Sequence, residues 1–191
     1  KCISTYDLDI YKFLYPNHLN MTPYLMSEAC ENGNIELVKW LRSKDCPWDQ
    51  WAPDKAAQSG KFDILEFLVC NGCPIDEHLA NYAAMGGQLE ILKWLKETGF
   101  HCKDSQTFDC AASGGHIEML KWLKENGCTC KYAFQWAARS GEFETLKWLH
   151  ENISEKCRMP CDGACGGAAA GGHLDILKWL RDNGFQWGQS T

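Results

Sequence analysis

The sequence predicts an all-α solenoid of about seven helix–turn–helix modules forming one array over residues 1–191, and three recurrences predict it. First, an aromatic residue set in a phrase such as Leu-Lys-Trp-Leu returns at Phe13, Trp40, Phe67, Trp94, Trp122, Trp148 and Trp179, at gaps of 27, 27, 27, 28, 26 and 31 residues. Second, a pair of small residues stands ten and eleven positions before each mark from Trp40 onward. Third, a Gly stands seven before it in six modules: Gly33, Gly60, Gly87, Gly115, Gly141 and Gly172. A fixed period of this length marks stacked supersecondary units, none of which can bury its own apolar face alone.

The helix carrying the mark, helix B, is read from its columns. Leu follows every mark: Leu14, Leu41, Leu68, Leu95, Leu123, Leu149 and Leu180. Two before it lie Tyr11, Val38, Leu65, Leu92, Leu120, Leu146 and Leu177. Five before it lie Leu8, Ile35, Phe62, Leu89, Ile117, Phe143 and Leu174. With charges between them, these columns predict one apolar stripe at helical period. Each helix B is expected about 8–10 Å from the next.

Helix A precedes it. The small pairs are Ala29-Cys30, Ala56-Ala57, Ala83-Ala84, Ala111-Ala112, Ala137-Ala138 and Ala168-Ala169, with an apolar residue three earlier at Met26, Ala80, Phe108, Phe134 and Cys165, and Pro53 as the exception. Small side chains let a neighbouring helix approach closely. The fixed Gly between A and B reads as the positive-φ residue of a tight turn, and Gly72, Gly99, Gly127 and Gly184 as caps where helix B stops.

The array is irregular in three places. Cys2-Ile3 falls in the small-pair slot of the first module, so that module is expected to be incomplete at its start. Residues 187–191 read as the run into a further helix A, which suggests a processed product or a piece of a longer array, the alternative being an irregular natural first module with its Met removed. About four extra residues widen the last gap, predicting an irregular loop over 151–163.

Segments such as Ala83-Ala84-Met85-Gly86-Gly87-Gln88-Leu89-Glu90-Ile91-Leu92-Lys93-Trp94-Leu95 and Ala111-Ala112-Ser113-Gly114-Gly115-His116-Ile117-Glu118-Met119-Leu120 resemble the core of the ankyrin repeat. The usual repeat has 33 residues and a Thr-Pro-Leu-His start to helix A. Only Thr22-Pro23-Tyr24-Leu25 is similar to that start, and about 27 residues remain per module. The chain looks like the short ankyrin variety of protists and large DNA viruses. The resemblance implies β-hairpins that are reduced or absent, and a concave binding face formed by helix A and its preceding loop. It also implies a structural role for His116 and His173, hydrogen-bonding at the turn.

Composition narrows the function. No run of eighteen apolar residues exists, so no membrane insertion is expected. Net charge is −6. Lys39, Lys93, Lys121, Lys147 and Lys178 each follow an acid three residues earlier, which makes a charge-balanced outer face rather than the unbalanced basic stripe nucleic acid requires. Twelve cysteines would suggest disulfides in a secreted chain. Here Cys46, Cys73 and Cys128 share a column with Phe100 and Phe185, Cys102 and Cys130 share one with Trp48, Ile75 and Trp187, and Cys30 takes an Ala place. They behave as small hydrophobes, which points to a reducing cytosol or nucleus.

Catalytic chemistry finds little support. Cys157, Cys161 and Cys165 with His150 supply donor types that zinc takes. However, Cys165 occupies a helix-A core slot, and Pro160 and Gly163 break any single helical face, so the reading is an irregular loop with incidental thiols and no metal. No phosphate loop, nucleophile elbow or cofactor motif is present, and the chain is not expected to be an enzyme.

The expected function is a protein-interaction scaffold or adaptor. The variable helix-A columns carry Tyr24, Trp51, His78, Gln106 and Tyr132 five before the small pair, and Glu28, Lys55, Tyr82, Cys110 and Trp136 one before it; the aromatics and His78 and Gln106 are the expected partner contacts, with Asp54, Asn81, Asp109 and Gln135 as a polar rim. Tyr and Trp suit interface anchors, although the same columns also serve packing between modules. Two other roles fit the sequence: an architectural subunit embedded in a large assembly, and the receptor arm of a ubiquitin ligase, for which Leu14-Tyr15-Pro16 is a faint signal.

Overall fold

The computed structural model describes Lys12 and residues 21–99, 105–153 and 163–187. Among the described residues there are twelve helices and no strand, as expected for an array whose hairpins are reduced. They form six A/B pairs: α1 (Pro23–Glu31) with α2 (Ile35–Ser43), α3 (Trp51–Gln58) with α4 (Phe62–Cys70), α5 (Leu79–Met85) with α6 (Leu89–Glu97), α7 (Ser105–Ser113) with α8 (Ile117–Glu125), α9 (Ala133–Ser140) with α10 (Phe143–Asn152), and α11 (Ala164–Gly171) with α12 (Leu174–Asp182). The first module's Leu8, Phe13 and Leu14 lie outside the described residues, as do Cys102 and residues 154–162 with Cys157 and Cys161.

All six turn glycines and all four helix-B caps named above have positive φ, between 71° and 91°. Five of the turns share one hydrogen bond. Lys61 N donates to Ala56 O at 2.8 Å, His116 N to Ala111 O at 3.1 Å and Glu142 N to Ala137 O at 2.9 Å. This satisfies a carbonyl that the end of helix A would otherwise orphan. Helix B ends the same way, with Cys46 N bonded to Leu41 O, Cys73 N to Leu68 O, Cys128 N to Leu123 O and Phe185 N to Leu180 O, each at 3.0 Å. The column shared by Cys and Phe is thus the apolar residue just past the capping Gly. Cys46 and Cys73 are buried there, their thiols reaching Thr22 O and Asp49 O of the preceding module's loop at 3.6 Å. Asp45 replaces the capping Gly once, at φ 57°.

Contacts group the chain into two compact units, Lys1–Ala83 and Ala84–Thr191, with the boundary inside α5. In the first unit, α1 packs on α3 far more extensively than α2 on α4. In the second, α7 packs on α9 and α9 on α11. Helix A against helix A is therefore the main joint between these modules, and the small pairs explain it: Ala29, Cys30, Ala56 and Ala57 in the first unit, and Ala111, Ala112, Ala137 and Ala138 in the second, are all buried. Ala169, in the last pair, is exposed. The Gly-rich start of the last helix A reads as weak, yet it forms eight helical residues. A Cβ on Gly167 would lie 2.5 Å from the carbonyl oxygen of Gln135 in α9, so the missing side chain permits the backbones to meet.

The helix-B stripe is rotated from the expected one. The buried columns are those three and two before the mark and one after it, with half-buried Leu177 the exception: Leu37, Val38 and Leu41; Ile64, Leu65 and Leu68; Met119, Leu120 and Leu123. The residues five before the mark sit at the first helical position and at the stripe's edge, where Ile35 is half-buried and Phe62 and Leu174 are exposed. The mark aromatics from Trp40 onward are half-buried. Trp179, for instance, meets Phe143 of the preceding module edge-on at 5.7 Å. Four expected ion pairs form on the outer face, Lys39–Glu36, Lys93–Glu90, Lys121–Glu118 and Lys147–Glu144, at 2.6–3.6 Å. Among the described residues Asp175 and Lys178 do not pair, as aspartate is one methylene shorter than the glutamates.

Candidate functional site

Helix A carries its core residues on one side and presents the opposite side to solvent at intervals of three and four residues. In the first unit that side holds Tyr24 and Glu28 on α1 and Trp51 and Lys55 on α3. Tyr24 is 69% exposed and Trp51 49%. Tyr24 Oη donates to Glu28 Oε1 at 2.8 Å, and Lys55 Nζ bridges the modules to Glu31 Oε1 at 3.1 Å. The Trp51 amide is held by Asp49 Oδ1 at 3.1 Å, an Asx-type start to α3. These residues, with Ser27, enclose a groove of about 400 Å³. Trp51 also meets Tyr82 edge-on at 6.3 Å, so two of the expected aromatics join across neighbouring modules. His78 is exposed and Asn81 half-buried.

In the second unit Tyr132 (41% exposed) and Trp136 (40%) stand at the same columns of α9. Both rings have a cation of this chain beside them, Lys131 Nζ at 5.0 Å and the Arg139 guanidinium at 5.7 Å from the centroids. Gln106 is exposed. Gln135 is half-buried and packs at the start of α11, where a Cβ on Gly163 would lie 2.6 Å from its Oε1.

Two expected rim residues are not at a rim. Asp54 and Asp109 are 2% and 5% exposed. Asp109 accepts from Lys131 N at 3.2 Å and from Tyr132 N at 3.0 Å, holding the approach to the next helix A. Burial pushes its carboxyl up to about 6, with those backbone bonds opposing the rise. Asp54 occupies the same column, but its Oδ1 has no hydrogen-bond partner among the described residues. Asp76 instead takes the loop amide, that of His78, at 2.8 Å. Burial, with repulsion from Asp76 and Asp49, raises Asp54 to about 7 against an opposing effect of His78.

Glu28, Glu31, Asp49 and Lys55 line the groove although none was expected from the sequence as a partner contact. Glu28 and Lys55 stand one helical turn after Tyr24 and Trp51, in the same variable column as Tyr82 and Trp136, and that column was the available signal. Glu31 and Asp49 have no counterpart signal in the columns. As for chemistry, Cys165 is buried with its thiol toward Phe185 O at 3.8 Å, and no group of three or more His, Cys, Asp or Glu suited to a metal occurs among the described residues. Among those residues no helix is long and apolar enough to cross a membrane.

The family described as Ankyrin repeats (3 copies) matches residues 54–132 and 80–159. The fold is similar to the crystal structure of the human ASB11 ankyrin repeat domain, with a TM-score of 0.55 at 16% identity over 83% of each chain. No curated protein sequence matches.

Proposed function

This chain belongs to the ankyrin-repeat family, and on that premise we propose that it is a protein-binding scaffold that engages its partner through helix A, with Trp51 the anchor in the first unit and Trp136 the anchor in the second. Ankyrin repeats are in general protein–protein interaction modules. The observation that carries the reading is the exposure of Tyr24, Trp51, Tyr132 and Trp136 on the solvent side of helix A, while the mark tryptophans of helix B are half-buried. Large aromatics left in water are the side chains with most to gain at an interface. His78 and Gln106, both exposed, provide polar surroundings.

The spacing of about 27 residues supports the short variety of the repeat. A reducing compartment, cytosol or nucleus, is supported by the eight described cysteines, all free and several serving as core or cap hydrophobes.

Affinity capture with the parent chain, Trp51→Ala and Trp136→Ala tests the proposal, with circular dichroism confirming that each variant folds. Each anchor should contribute about 2 kcal/mol or more, a loss of roughly thirtyfold in recovery. Recovery of the same proteins in the same amounts by both variants would refute the face.

A further inference from the structure

Resting on that reading of the helix-A face, we propose that the groove between α1 and α3 seats an arginine side chain from an extended segment of the partner protein. Its guanidinium lies against the Trp51 ring and takes the groove's carboxylates as counter-ions.

Three features of the groove select this occupant. Its charge is unbalanced: Glu28, Glu31 and Asp49 face one cation, Lys55, which is already engaged with Glu31. The bonds within the chain use Glu28 Oε1, Glu31 Oε1 and Asp49 Oδ1, one oxygen of each carboxylate, and a carboxylate accepts at two.

The second feature is the aromatic wall. Among the described residues no cation of this chain lies over the Trp51 ring, whereas Trp48 has the Arg42 guanidinium 4.1 Å from its ring centroid and Trp136 has Arg139. Arg–Trp pairing therefore occurs within the chain at Trp48 and Trp136, and the Trp51 ring, 49% exposed in the groove wall, is open to the same pairing from another molecule. The third is size. About 400 Å³ lies within the range of small-ligand clefts and holds one long side chain with its backbone. Arginine suits the site better than lysine because its planar fork stacks on an aromatic face and pairs with carboxylates through two bonds. A nucleic acid would be repelled by the same charges.

The test is an NMR titration of the full ¹⁵N-labelled chain, whose indole signals come from nine tryptophans, with Trp51 assigned by Trp51→Phe. The probes are acetyl-Gly-Arg-Gly-amide and its lysine and citrulline counterparts; citrulline keeps the shape of arginine and removes the charge. The arginine peptide should shift the Trp51 indole signal saturably. Lysine should bind at least threefold more weakly and citrulline at least tenfold more weakly. Glu28→Gln with Glu31→Gln should weaken arginine binding at least fivefold while the other indole signals hold their positions. Equal binding of citrulline, or shifts spread equally over the other tryptophans, overturns the proposal. If the arginine probe fails while Trp51→Ala still abolishes partner capture, the arginine seat is wrong and the binding face stands.

Discussion

The imidazole of His116 lies 2.9 Å, through Nε2, from the carbonyl oxygen of Met85, thirty-one residues back in the preceding module. A carbonyl can only accept, so Nε2 carries the proton. The bond expected at the turn therefore ties two modules together rather than closing one. The residue after the turn Gly repeats this reach elsewhere: Lys61 lies over Gly33, and His173 over Gly141. The turn glycine thus has two duties, its left-handed backbone and the space above it.

That double duty can be measured with His116 and Gly87. His116→Ala should cost about 1 kcal/mol by urea denaturation, the usual net value of one hydrogen bond. Gly87→Ala should cost about 2 kcal/mol or more, since the new Cβ is strained at φ 72° and lies 2.6 Å from His116 Cε1. The double variant should lose less than the sum, because removing the imidazole removes the clash. Strict additivity would show that the ring and the glycine do not meet.

Asp54 and Asp109 share a column and should respond oppositely to substitution. Both carboxyls are raised in the folded chain, to about 7 and about 6, so between about pH 4 and 7 the folded state holds protons that the unfolded chain has released. Their contribution to stability is full below about pH 4 and is lost as pH rises through the folded values. Asp54→Asn should therefore stabilise the chain by on the order of 1 kcal/mol at pH 8 and change little at pH 4. Asp109→Ala should destabilise by about 1–2 kcal/mol, since Lys131 N and Tyr132 N lose their acceptor. Thermal melts at the two pH values check both signs.

Asp45 is the one non-glycine with positive φ among the described residues. Asp45→Gly should raise stability by about 0.5–1 kcal/mol, the strain of an L-residue in that region less the entropy glycine brings to the unfolded chain. An unchanged or lowered melting temperature would mean that the aspartate side chain compensates locally.

Cysteine reactivity should follow burial. Burial pushes the Cys46 thiol up to about 11 and Cys73 up to about 12, and raises Cys30 and Cys165 as well. Under native conditions at pH 8, iodoacetamide should label exposed Cys70 at least tenfold faster than these four, read by peptide mass spectrometry. Equal rates would show that the cap column is open to solvent.

Much of this architecture was legible because a repeat is read many times over. The marks, the small pairs and the glycines placed both helices and the turn between them in each described module, and the end of helix B in four of them. Residues seen only as column members were harder. Helical periodicity limits the angle of a stripe but not its centre, so Phe62 and Leu174 looked like core, while the adjacent Ile64 and Ile176 proved to be it. Asp54 and Asp109 looked like surface because nothing local announces that the next module's loop covers them. The acidic groove beside Trp51 was half legible: Trp51 and Tyr24 broke the column pattern, while Glu31 and Asp49 converge there only once α1 and α3 pack.

Hydroxyl-radical footprinting of the chain, alone and with its captured partner, tests the binding face most directly. Oxidation of Tyr24, Trp51, Tyr132 and Trp136 should fall at least fivefold in the complex, while Trp40, Trp94, Trp122 and Trp148 on helix B stay unchanged. Protection of the helix-B tryptophans with undiminished oxidation of Trp51 and Trp136 would contradict the account.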